Sequence, residues 1–188
     1  YERELAQKLN QQSIPHGNGR CYGDASLAPE VVNTLRYDKV LAFDELNGII
    51  TCQSGILLSD LLQIIVPRGW FLPVTPGTKF ITVGGAVASD VHGKNHHVDG
   101  SFSRHIVSMS VLTGTGETFV CSRTQHEDLF WATCGGMGLT GIILDVKFRL
   151  KRISTAYIRQ RQIKARNLDE VMALFEENSA STYSVAWI

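Results

Sequence analysis

The sequence has no surplus of either charge, no long apolar run, no paired-cysteine motif and no phosphate-loop signature. Lysine plus arginine (18) cancel aspartate plus glutamate (18). That balance removes the electrostatic case for nucleic acid or an anionic membrane as the main partner. No apolar stretch approaches the roughly 18 residues of a transmembrane helix. The cysteines, Cys21, Cys52, Cys121 and Cys134, are scattered and form no CxxC pair. This argues against a zinc ribbon or a disulfide scaffold and for reduced, mostly buried thiols in a reducing, cytoplasmic compartment. No G-x-x-x-x-G-K-[ST] occurs, so a P-loop is excluded. The chain opens at Tyr1 with no methionine and no signal-like segment, so it is expected to be a fragment, with room for a signal ahead of it. What is present is ordinary for a globular protein: 188 residues, 44% hydrophobic and 19% charged. That suffices for one good core and the beginning of a second domain.

The patterning is mixed. Residues 1–12 read as a short helix tail. Strands are expected at Ser13–Gly17, Val31–Leu35 and Gly48–Gln53 from their β-branched content. Leu57–Val66 has helical spacing and is stopped by Pro67-Arg68-Gly69. Trp70–Val74 is short and extended, and the small residues of Thr82–Asp90 suit a tightly packed helical turn. His105–Thr113 and Glu117–Ser122 form a hairpin across Gly114-Thr115-Gly116. Thr124–Cys134 reads as a helix capped by Thr124, with Glu127 completing a capping box. Ile142–Leu150 is the strongest strand. Tyr157–Ile163, Leu168–Phe175 and Tyr183–Ile188 read as strand, helix, strand. This order implies an α+β fold rather than a regular parallel array. A seam near Lys151–Thr155 separates residues 1–156 from the start of a second domain at 157–188.

Three glycine-rich segments carry the chemistry. GGMGLTG, residues 135–141, contains G-x-G-x-x-G, but a helix precedes it and a strand follows. A dinucleotide fingerprint needs the opposite order. Its glycines are read as permitting a sharp turn or a close approach, a purely structural turn being the competing reading. GNGRCYGD, residues 17–24, could present several N–H groups to one anion as a nest does, or be a plain surface loop. TVGGAVASDVHGKNHH, residues 82–97, joins small residues to a polar cluster. His92 and His96 are four apart, yet Gly93 intervenes, no glutamate precedes His96 and no cysteine is near, so no metal site is expected. Three such segments, with PGT at 76–78 just upstream of the last, suggest an extended ligand gripped at several points, its pyrophosphate near backbone N–H groups.

The succession GNGRCYGD, SGILLSDLLQIIVPRGWFLPVTPGT, TVGGAVASDVHGKNHH and DLFWATCGGMGLTGII resembles the FAD-binding (PCMH-type) domain of the vanillyl-alcohol oxidase superfamily. The HGKNHHVDGSF and LFWATCGGMGLTGII runs look most like the branch of flavoprotein oxidase subunits of decaprenylphosphoryl-β-D-ribose 2′-epimerases. The resemblance covers nearly the whole chain, including TAYI and YSVAWI. It implies two α+β subdomains holding FAD, followed by an α+β substrate domain of which 157–188 would be the beginning.

By position, the resemblance makes Pro15, His16, Gly17, Asn18, Gly19, Arg20, Cys21, Tyr22, Gly23, Asp24 and Ala25 a pyrophosphate and flavin loop. Gly77 would contact FAD, and Thr82, Val83, Gly84 and Gly85 would pack against the diphosphate. Ser89, Asp90, Val91 and His92 would run under the ring, and Ile143 would lie toward the adenine. Tyr22, His92 and Lys94 would line the substrate side as catalytic residues. Cys21 stands where several relatives carry a flavin-linked histidine, so the FAD is expected to be noncovalent. The implied activity is oxidation of a secondary alcohol on a sugar, free or lipid-linked, with hydride passing to flavin N5. A partner reductase, and membrane association through a lipid-linked substrate, are part of the same expectation. The alternatives are an oxygen-using alditol or sugar-lactone oxidase, an inactive flavin-binding partner or scaffold, and a plain binding domain whose glycine loops are coincidental.

Overall fold

The computed structural model describes residues 13–187; the helix expected over 1–12 and the last residue of the strand expected at 183–188 lie outside them. Along the chain run β1 (Ser13–His16), β2 (Glu30–Asn33), β3 (Val40–Asp44), β4 (Ile49–Gln53), α1 (Leu58–Ile65), β5 (Trp70–Phe71), α2 (Val83–Ala88), α3 (His96–Asp99), β6 (Ile106–Leu112), β7 (Thr118–Cys121), α4 (Glu127–Thr133), β8 (Ile142–Arg149), β9 (Lys151–Arg152) and α5 (Leu168–Glu177). Short 3-10 turns occupy Val66–Arg68 and Phe102–His105. The fold is α+β, as the patterning implies.

β8 is the spine because its sequence is almost entirely apolar where it must be buried. Ile142, Ile143, Leu144, Val146 and Phe148 are all buried, while Lys147 and Arg149 project outward. A strand covered this way needs a neighbour on each edge, and β8 has two. It is the middle of an antiparallel sheet ordered β3-β4-β8-β6-β7, paired from Ile49↔Arg149 to Gln53↔Asp145 on one side and with β6 on the other. α1 covers this sheet. Leu58, Leu61 and Ile65 recur at helical spacing and are buried, which is the pattern of one apolar face. Pro67 lies in the turn that follows, and Gly69 ends it at φ 78°. The rings of Phe102 and Phe148 meet at 5.3 Å inside the same core. A smaller cluster, Val32 and Tyr37 against Leu112, Ile142 and Leu144, fastens the parallel pair β1-β2 to the sheet. β5 and β9 form a separate short antiparallel pair.

Several expectations need correction. β3 has no counterpart in the sequence reading: it is an edge strand whose Leu41 and Ala42 are exposed, so it carries no apolar alternation. The helix α3 was likewise not expected. Thr124 does not cap α4. Ser122 and Gln125 form a bridge instead, the helix begins at Glu127, and the residue before it, His126, is left-handed at φ 46° with no side-chain cap. Glu127 turns forward, accepting a hydrogen bond from Trp131 Nε1 at 3.2 Å. Residues 157–163 and 183–187 form no strand. β-Propensity becomes a strand only where a partner edge exists, and none reaches them among the described residues.

Candidate functional site

The loop after β1 is held at its base and open at its tip. Thr34 N–H donates to His16 O at 3.0 Å, and His16 Nδ1–H donates to Ser26 O at 3.0 Å. Between these pins, none of the backbone N–H groups from Asn18 to Gly23 donates a hydrogen bond among the described residues. Gly19 and Gly23 take φ of 59° and 61°, which side chains resist. Arg20, Tyr22, Asp24 and Ala25 are exposed and Cys21 is half-buried. A run of unpaired amides with left-handed glycines leaves N–H groups available to an anion of several oxygens.

The three glycine segments converge. Asn18 Nδ2 donates to Phe80 O at 2.7 Å. A Cβ on Gly17 would stand 2.5 Å from Thr82 Oγ1, and one on Gly138 would stand 3.0 Å from Pro15. Loop 17–24 therefore lies against the start of α2, and the strand β1 that leads into it meets the 135–141 turn at Pro15.

Their amides are used differently. At α2 the donors are already taken: Val83 N–H by Ile56 O, Gly84 N–H by Ser54 O, and Gly85 N–H by the capping Thr82 Oγ1 at 3.1 Å. Gly84 is a packing glycine, since its Cβ would sit 2.9 Å from Ser54 Cβ. The GGMGLTG turn caps the far end of α2. Gly135 N–H donates to Val87 O and Met137 N–H to Ala88 O, satisfying carbonyls that a helix end leaves over. What Gly136 and Gly141 approach is this protein's own backbone, Ala132 O and Leu112 O. Gly77 is exposed, with open space where a Cβ would be.

Beyond α2, Ser89 is exposed and Asp90 is strained at φ 37°. The Asp90 carboxylate is turned into its own loop, accepting from Ser101 Oγ, Ser103 N and Ser103 Oγ at 2.8–3.1 Å. Val91 ties back through its N–H to Ala86 O. His92 and His96 are exposed, their rings edge to face at 5.3 Å. Lys94 is exposed, and its carbonyl accepts from Ser184 N–H at 3.0 Å. No described contact joins Tyr22, which is fully exposed, to His92 or Lys94. Ile143 lies in the main core, 5% exposed, with no described contact to the loop.

Two members of the polar region that the sequence reading passed over are the most firmly held. Asn95 is fully buried and binds Asp99, which also binds Lys151 at 2.7 Å. Burial pushes the Asp99 carboxyl up, but hydrogen bonds from Lys151 and Asn95 and the charges of Lys151 and His105 outweigh it, leaving it below the usual carboxylate value. The i, i+4 spacing of Asn95 and Asp99 was the available signal. The four cysteines are free. Burial pushes Cys52 up, Cys121 to about 11 and Cys134 to about 12, the last helped by Asp90.

No helix among the described residues is long and apolar enough to cross a membrane.

Residues 3–122 match the family described as FAD binding domain. Over 179 residues the chain is 38% identical to a decaprenylphosphoryl-β-D-ribose oxidase of Mycolicibacterium smegmatis, covering 93% of this chain and 39% of that protein. It is 30% identical over 146 residues to an L-gulonolactone oxidase of Scyliorhinus torazame, covering 76% and 32%. It is also 30% identical over 125 residues to a D-lactate dehydrogenase of Anaerostipes hadrus, covering 64% and 26%. The chain thus spans 39% of the first of these and less of the others. It belongs to the FAD-binding domain family, and its cofactor is FAD.

Proposed function

We propose that the protein carrying this chain oxidises a secondary alcohol of a sugar, with FAD as the acceptor of hydride. The observation that carries the reading is the loop Asn18–Gly23, whose backbone donors are unspent while the amides beside it at α2 are used within the protein. Such a loop fits the diphosphate of a dinucleotide cofactor. The similarity to a decaprenylphosphoryl-β-D-ribose oxidase over 93% of the chain supports a sugar, free or lipid-linked, as the alcohol.

In this reading Pro15–Ala25 cradle the diphosphate and the ring. Gly77, the Thr82–Gly85 turn, Ser89–His92 and Ile143 complete the cofactor contacts. Thr82 Oγ1 accepts from Gly85, and its hydroxyl proton is left to donate. FAD, when bound, supplies hydride acceptance at N5. Tyr22 and Lys94 orient the substrate hydroxyl. The Lys94 ammonium also meets negative charge, on a substrate phosphate or on the reduced ring. His92, beside His96, stands at the substrate side.

The domain division of the reading is 1–156 for the FAD-binding part and 157–188 for the start of the substrate part. The FAD is held noncovalently, because Cys21 stands at the position of a linking histidine. The protein works in the cytoplasm, meets the membrane only through a lipid-linked substrate, and is served by a partner reductase that acts on the ketone product.

The test is acid precipitation of the full-length protein followed by absorbance. Flavin in the supernatant is the expected result. Flavin in the pellet refutes noncovalent binding and makes Cys21 the suspect. No flavin after reconstitution with FAD refutes the whole reading. The similarity to an L-gulonolactone oxidase favours one second reading, an oxygen-using sugar-lactone or alditol oxidase. Oxygen consumption with aldonolactones or alditols and none with phosphorylated pentoses would establish it instead.

A further inference from the structure

The polar run after α2 is exposed at His92, Lys94, His96 and His97, yet Asn95 in its middle is completely buried. Its Nδ2 donates to Pro73 O at 2.7 Å and to Asp99 Oδ2 at 2.6 Å. Both partners are acceptors, so the amide has one workable orientation. That orientation leaves Oδ1 buried without a partner among the described residues, 3.0 Å from where a Cβ on Gly93 would stand. Asp99 Oδ2 also accepts from Lys151 Nζ at 2.7 Å, and His105 Nε2–H donates to the Asp99 carbonyl at 2.8 Å. Lys151 lies on β9, far along the chain, with its Nζ 5.8 Å from the centre of the Tyr183 ring. From outside, Ser184 N–H donates to Lys94 O and His97 Nε2–H donates to Ser181 O at 2.9 Å.

A surface turn can be closed by its own backbone bonds. Burying an amide and tying it to a carboxylate–ammonium pair is expensive, and an acceptor is left orphaned besides. What such a chain provides is a single arrangement, fixed from several elements at once. Asn95 is bonded directly to Lys94 in the chain, so displacing one displaces the other.

We infer that Asn95, Asp99 and Lys151 are positioning residues that set where His92 and Lys94 stand, and that residues 181–184 close the same turn from outside. This rests on the reading of His92 and Lys94 as groups beside the bound cofactor.

The test uses full-length protein loaded with FAD and sulfite as the probe. The sulfite sulfur gives its electron pair to flavin N5, and the negative charge moves onto the ring, so a cation near the ring favours the adduct. Loss of visible absorbance reads the affinity, with FAD content and melting temperature measured alongside. Lys94→Met is expected to weaken sulfite binding about tenfold or more, given the strength of a close charge at a protein surface. Asn95→Leu, Asp99→Asn and Lys151→Met are expected to weaken it comparably with Lys94 intact, and Lys151→Arg to restore most of it. Folded variants with full FAD and unchanged sulfite affinity, beside a defective Lys94→Met, would overturn the inference while leaving the reading of Lys94 standing. An unaffected Lys94→Met sinks that reading and the inference with it. Should the Asn95 and Asp99 variants fail to fold, the Lys151→Met and Lys151→Arg pair decides, because that side chain is 32% exposed.

Discussion

Replacing Gly84 with alanine separates two explanations of the Gly84-Gly85 pair. If the glycines serve only to let phosphates approach, the substitution harms FAD binding and leaves the cofactor-free protein untouched. The structure gives Gly84 another constraint. An added Cβ would lie 2.9 Å from Ser54 Cβ and 3.2 Å from Ser54 O, against about 3.5–4.0 Å for a comfortable carbon contact. The helix has no room to retreat, because Gly84 N–H is bonded to that same Ser54 oxygen at 2.7 Å. With the helix pinned in this way, overpacking falls in the upper part of its usual range, about 2–3 kcal/mol, and the better helix propensity of alanine returns about 1 kcal/mol. The net loss is about 1–2 kcal/mol, which for a protein of this size lowers Tm by about 3–6 °C.

Gly85 is the internal control. Its Cβ would meet only Thr82 Oγ1, at 3.1 Å. The propensity gain then offsets a partly weakened cap, itself worth about 1 kcal/mol, so Gly85→Ala leaves Tm near its starting value. The assay is thermal unfolding of FAD-free protein, then titration with FAD. A Gly84→Ala protein that melts with or above the wild type refutes the packing argument. Equal losses of FAD affinity in both variants, with Tm unchanged, would establish the phosphate explanation in its place.

The other predictions follow from single contacts. Among the described residues Ser54 Oγ is buried without a hydrogen-bond partner, so Ser54→Ala removes an unpaired polar group and should leave Tm unchanged or raised; a clear fall would mean the hydroxyl is satisfied. The Asp99 carboxyl is held below its ordinary value, so the folded state binds its proton less readily than the unfolded chain. Its contribution is present in full above the ordinary value of about 4 and is lost as pH falls through the folded one. Asp99→Asn should therefore melt lower at neutral pH and lose Tm less steeply than wild type between about pH 5 and pH 3, and parallel curves would count against the pairing. Cys52 and Cys121 are fully buried and the Cys134 thiol is raised to about 12, so maleimide at about pH 8 should label folded FAD-free protein first at Cys21. Labelling that persists unchanged in Cys21→Ser would refute this order.

Elements that bury one face along their whole length could be read from the sequence, because burial writes a period into the residues. β8 and α1 are the cases: one is a near-continuous apolar strand, the other repeats Leu58, Leu61 and Ile65. β3 leaves no such trace, since pairing with β4 defines it while its middle residues stay exposed. The same limit works in reverse at 157–163, where strand-forming residues meet no partner edge among the described residues. Thr124 and Glu127 have the spacing of a capping box, but the Ser122–Gln125 bridge closes a turn around Thr124, and Glu127 bonds to Trp131 instead. A local motif does not record such competition.

The site was legible in the same partial way. A glycine reports that the backbone is close to something, not what that something is. At Gly84, Gly136 and Gly141 it is Ser54, Ala132 and Leu112, all protein. Among the described residues the amides of 18–23 donate no hydrogen bond, nor do those of Gly138 and Thr140, whereas the first amides of α2 are all bonded within the protein.

Under the proposed function that difference divides the labour within the site. A helix start whose first amides are all bonded to protein has little left to offer a phosphate beyond a hydroxyl proton on Thr82, so α2 serves chiefly as a wall. The wall must be stiff, because the open loop leans on it through Gly17 against Thr82 and Asn18 against Phe80. Its stiffness comes from both ends: Ser54 and Ile56 hold the first turn, and Gly135 and Met137 close the last. The GGMGLTG turn, which looks most like a nucleotide motif in the sequence, therefore acts at one remove. It fixes the helix that supports the loop, and Gly138 passes Pro15 of β1, just ahead of the loop. A nest of free amides binds an anion well only if the amides need not reorganise to receive it. In the proposed site that preorganisation would come from α2, whose first amides and last carbonyls are already bonded within the protein.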